Sequence, residues 1–477
     1  PVGRPTVERC AEDHDVGIRV RVRLVEVGLV DAEERDVRTE LRSIPHGFEP
    51  RAKAWISACG ELIIVLRVAM IAFGCALLAT PAHAAPPWPG PALKPAASTP
   101  RANHRIARLV PRRIDHGALG RNVAVSVVDT ATGRTLVAHH AHRGLATASN
   151  TKLITSLLAV QALGPAARVP TVVRRTGPHS IALVGGGDSL LSSGNVAALA
   201  ARTARALHVR RVTVRVDASL YRWRGPGRGW ASYEVGSNIG RVEPLNMNDA
   251  RTGDGPGYVG RYFTSRLRAH GIRATFAGRK PSPKSKAIAR FRGHTVKQIV
   301  RAALLPSDSD DAEALGRLVA TRLGYPGTYD GWWHAARDTI DSLGIDRRGV
   351  RLFDASGLSQ RNRVTTRFVT SLLMASMQPE NPRMHVILRE RRLPTAGYTG
   401  TLTTSLGRFI GVSSCARGRV FAKTGTIAGV VALSGYAKGA DHRWKVFSIL
   451  VNNRPGVNML RSRQALDRIA STVTGCW

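Results

Sequence analysis

Strand-like segments stand at both ends of the foldable part of this chain, and that placement limits its fold more than any other feature. Near one end, residues 123–129 (Val-Ala-Val-Ser-Val-Val-Asp), a Thr-Ala-Thr-Gly turn and residues 134–139 read as a β-hairpin. Near the other, residues 419–424, 430–436 and 444–451 read as three strands joined by short turns, followed by a helix over about 457–472. Five such strands suit one antiparallel sheet flanked by helices, an α+β layering. The chain between them must leave that sheet and return. Residues 166–290, with a strand at 212–216 and an Ala-rich helix at 195–208, read as an inserted α/β domain, which leaves 105–165 and 291–477 as the main domain.

Charge narrows the function. Lys and Arg total 70 against 33 Asp and Glu, a formal net charge of +37, and only ten of the 70 are lysine. A surface of this sign attracts anionic polymers, whether nucleic acid or the acidic polymers of a cell envelope. Coding bias towards arginine would scatter the same charge over solvated faces. No Lys/Arg run reaches five and no aromatic-interleaved basic stripe occurs, which argues against nucleic-acid binding.

The first 84 residues differ from the rest, with 11 basic and 12 acidic residues. Residues 62–84 place Arg67 before an apolar run over 68–79 and end on Pro81-Ala82-His83-Ala84. That is an export signal, with cleavage expected after Ala84; Arg67 and the short run argue against a membrane span. Residues 1–61 precede where such a signal should begin and read as a non-native upstream extension. Residues 85–104 are proline-rich and suit an extended linker. The mature protein is therefore expected outside the cytoplasm, in the periplasm, in the wall or on the outer face of the membrane. Cys10, Cys59 and Cys75 would be lost, and Cys415 and Cys476 would remain to pair in an oxidising compartment.

Three short motifs carry chemistry. Ser149 and Lys152 stand three apart at the start of an apolar helical run through Leu163, so they share one face. A serine hydroxyl needs a neighbouring base; lysine can lose its proton when buried, whereas arginine cannot. Lysine here, in a chain that habitually uses arginine, is informative. Lys423-Thr424-Gly425-Thr426 on a strand offers positive charge, hydroxyl donors for a carboxylate, and a glycine that lets a ligand approach. Ser307-Asp308-Ser309 lies between two helices, where a helix cap is the commoner role. Each motif alone is a weak signal. In this order, on these element types, they form a specific set.

With these motifs the sequence resembles the class C low-molecular-mass penicillin-binding proteins, the D-alanyl-D-alanine carboxypeptidase/endopeptidase family. Leu183-Val184-Gly185-Gly186-Gly187-Asp188, Pro244-Leu245-Asn246-Met247-Asn248, Ala312-Glu313 and Asp354-Ala355-Ser356-Gly357-Leu358-Ser359 with Asn362-Arg363 support it over about residues 105–475. The resemblance implies a transpeptidase-like domain carrying an inserted domain. It implies that Ser149 attacks the carbonyl between two terminal D-alanines, Lys152 takes its proton, and Ser307 relays a proton to the leaving amine. Lys423, Thr424 and Thr426 would hold the substrate carboxylate, and the N–H groups of Ser149 and Thr426 would form the oxyanion hole. Peptidoglycan peptides and β-lactams are the implied partners; no metal or cofactor is implied, and His139-His140 read as surface residues at a strand end.

One departure bears on turnover. The family has asparagine where this chain has Ser309, and a hydroxyl cannot both donate to substrate and accept from lysine at an amide's reach. Acylation with reduced turnover or altered preference is expected, and a catalytically weak penicillin-binding or wall-binding protein is the alternative. A β-lactamase is disfavoured because no deacylating glutamate stands out.

Overall fold

The computed structural model describes residues 100–221, 225–248, 250–251, 253–453, 456 and 458–477. The segments expected at 1–61 and 62–84, with Cys10, Cys59 and Cys75, lie outside the described residues.

Ten strands build two five-stranded sheets among the described residues: β1 (Asn122–Asp129), β2 (Thr135–His139), β3 (Thr171–Gly177), β4 (Ser180–Val184), β5 (Arg211–Asp217), β6 (Arg273–Arg279), β7 (Ala287–Phe291), β8 (Val420–Ile427), β9 (Val430–Lys438) and β10 (Trp444–Asn452). The first sheet runs β2-β1-β10-β9-β8, antiparallel throughout, so β1 and β10 join the two ends of the chain. Strands β9 and β10 are buried on both faces, which is why they read as apolar runs rather than alternations. Helices α1 (Pro100–Arg112) and α9 (Met459–Val473) cover one face through Ile106, Val110, Leu466 and Ile469. That burial corrects the expected linker: Ile106 and Val110, one helical turn apart, draw the chain into a helix from Pro100, inside 85–104.

The central helix α2 (Thr151–Leu163) is buried from Thr151 to Val160, as its apolar spacing predicts, and stops at Gly164 with φ 84°. Helices α5 (Val296–Leu304), α6 (Ser309–Arg322), α7 (Tyr329–Ser342) and α8 (Thr366–Ala375) share its core. On the face of the sheet towards α8, Ser126 meets Thr370 at 3.0 Å and Ser434 donates to Ser448 at 2.9 Å, so this buried polar lane is satisfied.

The second sheet runs β6-β5-β4-β3-β7, with β4, β5 and β6 parallel. Helices α3 (Ser193–Ala206) and α4 (Gly255–Ala269) supply its crossovers and share a core of Ile181, Leu183, Leu199, Val214 and Phe263. The glycines after β4 make a tight turn. A Cβ on Gly186 would sit 2.0 Å from the Pro170 carbonyl, and one on Gly187 (φ 93°) 2.8 Å from Leu318 of α6. A disulfide joins Cys415, in the turn Gly411–Ala416, to Cys476 beyond α9, with Cα atoms 6.2 Å apart. No helix among the described residues is long and apolar enough to cross a membrane.

Candidate active site

Ser149 sits in a single 3-10 turn, Ala148–Asn150, that runs directly into α2. Ala148 is held at φ 46°, a left-handed conformation that costs a non-glycine residue about 1 kcal/mol or more. The turn is held from two sides. Asn150 Nδ2 donates to the Lys423 carbonyl at 2.9 Å. Gly357 (φ 89°) presses so near that a Cβ there would stand 1.9 Å from the Ala148 carbonyl oxygen. Ser149 makes no helix cap. Its Oγ instead accepts from Lys152 Nζ at 3.0 Å.

Lys152 is fully buried, and its Nζ donates also to Ser309 Oγ at 3.2 Å and to the Ser356 carbonyl at 2.8 Å. Burial brings its pKa down to about 8, against the opposing pull of Asp354, Asp308, Glu313 and Asp310. Lys423 is equally buried, and its Nζ donates to Ser307 Oγ at 2.7 Å and to the Thr424 carbonyl at 3.0 Å. Burial, with the Lys152 and Arg408 cations, holds it well below the ordinary lysine value.

Ser307, at φ 71°, immediately precedes Asp308, whose carboxylate caps α6 by accepting from Asp311 N at 2.9 Å. This triplet is therefore both a cap and part of the site. Thr424 Oγ1 contacts Thr401 Oγ1 at 2.7 Å, and Thr426 lines the cleft. A Cβ on Gly425 would meet the Thr147 carbonyl at 2.6 Å and Asn150 Nδ2 at 3.1 Å, so the glycine makes room for the Ser149 turn. Of the sequence-expected residues, Ser149, Ser307, Ser309 and Thr426 line one cleft of about 450 Å³, and Lys152 and Lys423 reach it from below through their serine contacts. Cys415 and Cys476 lie apart, in the disulfide. His139 is half-buried at the end of β2, and His140 is exposed beyond it.

Several participants escaped the sequence reading. Tyr233, Glu234, Asn238 and Arg251, which follow β5, line the cleft, and no local pattern marks them. The loop 354–362 forms a buried hub in which Asp354 accepts from Gly357 N, Ser359 N, Asn362 Nδ2 and Trp230 Nε1 at 2.7–3.0 Å. Glu313 Oε1 accepts from Ala355 N at 2.8 Å and Ser356 N at 2.9 Å, which aims the Ser356 carbonyl at Lys152. Burial and the Asp354 carboxylate push Glu313 up to about 7, against the pull of Arg317. The recurrence of Glu313 and Asp354 in motif stretches was the available signal; their roles were not readable from it.

The sequence profile of the D-Ala-D-Ala carboxypeptidase 3 (S13) family matches residues 107–238 and 239–473. The chain is 29% identical over 460 residues to carboxypeptidase DacB of Mycolicibacterium smegmatis, covering 88% of this chain and 96% of that one. It is 27% identical over 474 residues to a D-alanyl-D-alanine carboxypeptidase of an Actinomadura species, covering 78% and 86%. Its fold is similar to that of penicillin binding protein 4 from Haemophilus influenzae, with a TM-score of 0.66 at 17% identity over 76% of this chain and 99% of that one.

Proposed function

Since this chain belongs to the D-Ala-D-Ala carboxypeptidase 3 (S13) family and is a carboxypeptidase of that class, we propose that it cleaves peptidoglycan stem peptides through an acyl-enzyme on Ser149. The observation that carries the reading is Lys152 Nζ at 3.0 Å from Ser149 Oγ, in a cleft whose other wall holds Ser307 against Lys423 at 2.7 Å. Neutral Lys152 takes the Ser149 proton as Oγ adds to the carbonyl between two D-alanines. The N–H groups of Ser149 and Thr426 stabilise the oxyanion. Ser307 passes a proton to the departing amine, D-alanine leaves, and water releases the acyl group. Lys423, Thr424 and Thr426 hold the terminal carboxylate. Endopeptidase action on cross-links uses the same steps with a larger leaving group.

Penicillins should acylate Ser149 and leave slowly, a reading supported by the β-lactam complex of the Haemophilus influenzae penicillin binding protein 4, whose fold this chain shares. The work takes place at the wall, after export and cleavage at Ala84, with 166–290 as an inserted domain and the positive charge drawing the protein to anionic wall polymers. Fluorescent penicillin should label the wild type and not Ser149→Ala; equal labelling of the two sinks the nucleophile. Products from a defined pentapeptide and from cross-linked muropeptides divide carboxypeptidase from endopeptidase action. Ser309 supports a second reading, a slow penicillin-binding protein, because its hydroxyl already accepts from Lys152 at 3.2 Å.

A further inference from the structure

The second sheet is electrically polarised along its strands. Between Asp188 and Asp217, and again between Asp254 and Asp308, the chain has no acidic residue, while those two stretches hold 17 Arg and Lys. In the parallel β–α–β part of the sheet, strand amino-ends and helix carboxyl-ends come to the same end. Arg210, Arg211 and Arg273 stand at the starts of β5 and β6, and Arg205, Arg266 and Arg268 in the last turns of α3 and α4. They converge. Arg273 N donates to the Arg210 carbonyl at 2.7 Å, Arg211 lies opposite Arg273 in register, and Arg268 Nε donates to the Ala274 carbonyl at 2.7 Å. A concavity of about 580 Å³ is lined by Arg211, Arg268 and Arg273.

All six arginines are exposed, and among the described residues none of them pairs with Asp or Glu. The opposite end of the same sheet is different. Arg279, at the end of β6, pairs with Glu243 at 2.8 Å and with Asp254. Helix ends account for three of the six, since cations there complement the partial negative charge of the last carbonyls. Arg210, Arg211 and Arg273 belong to no helix end.

We propose that this end of the second sheet docks an anionic, phosphodiester-bearing polymer of the cell wall. Guanidinium forks match phosphate oxygens in pairs, and an exposed arginine row suits a flexible polyanion read by charge rather than by sequence. The proposal rests on the reading that the enzyme works at the wall. It also fits the geometry of the cleft: β5 spans about 20 Å from Arg211 to Asp217, and the chain beyond Asp217 goes on to the cleft-lining residues Tyr233 and Glu234. A polymer held at the far end leaves the cleft open.

The test titrates the whole protein with synthetic poly(glycerol phosphate) over a range of salt. The triple variant Arg210→Gln, Arg211→Gln, Arg273→Gln is compared with a control triple, Arg108→Gln, Arg134→Gln, Arg322→Gln, of equal charge change and equal exposure. The surface triple should bind at least tenfold more weakly at low salt, and its slope of log K against log salt should drop by about two. The control should lose less than threefold. Equal losses in the two triples, or no binding by the wild type, overturn the proposal. Tighter binding of duplex DNA with the same phosphate count, abolished by the surface triple, would reassign the surface to nucleic acid and also overturn it. Turnover of a soluble D-Ala-D-Ala peptide should be the same in all three proteins. A wild type that binds polymer but cleaves no peptide would remove the peptidase reading and leave this one standing.

Discussion

Lys152 can take a proton only as a free amine, so the rate of acylation should follow its titration. With its pKa near 8, penicillin acylation should rise as pH passes from 7 to 9 and level off above that. Glu313 contributes negative charge that favours the ammonium, so Glu313→Gln should move the midpoint of that rise to lower pH. Stopped-flow acylation across this range, with wild type and variant, checks both; a flat profile would remove Lys152 as the base. Ser309→Asn should raise peptide turnover several-fold while changing acylation little, because an amide can accept from Lys152 and still present an N–H to the substrate. Steady-state hydrolysis of a pentapeptide measures this. The scarcity of lysine made Lys152 and Lys423 legible in the sequence. The same cue also selects Lys445, which is just as buried but pairs with Asp441 at 2.6 Å. A residue type signals capacity; only its neighbours decide its use.

Elements were more legible than their meetings. The hairpin, the three late strands, α2 and α9 stand where periodicity puts them, because each buries a stripe or face that repeats within a few residues. The hub at 354–362 and the cleft wall at 233–251 could not be read this way. The hub's partners Glu313 and Trp230 are more than 40 residues distant, and both segments' own patterns are those of loops. The hub also explains a glycine of α6. A Cβ on Gly316 of α6 would stand 2.6 Å from the Ala355 methyl and 3.2 Å from Trp332, so the missing side chain at 316 is what admits Ala355. Gly316→Ala should destabilise the protein by about 1–3 kcal/mol. Adding Ala355→Gly should recover most of that loss, and a double-mutant cycle on thermal or urea unfolding measures the coupling. Additive effects would mean that the two positions do not share the space.

At the scale of the whole molecule, the two sheets differ in how the chain supplies them. The second uses one continuous stretch, from Thr171 to Phe291. The first needs β1 from near residue 122 and β10 from near residue 452, with eight matched residue pairs along their seam. Closing such a seam costs loop entropy before any pairing can repay it. An order of assembly follows. As the chain emerges from synthesis or export, the second sheet has all its strands long before the first has any partner for β1 but β2. Pulse-labelled hydrogen exchange during refolding should therefore protect amides of β4 and β5 ahead of those in β1 and β10. Simultaneous protection would contradict this. Helix α2, which follows the proposed nucleophile, belongs to the slow half, so Ser149 meets Lys423 only after nearly the whole chain has been made. On the reading proposed above, a half-built chain would then carry Ser149 in an unassembled, unreactive form, and competence to react with a penicillin would arrive last, with the closing strand.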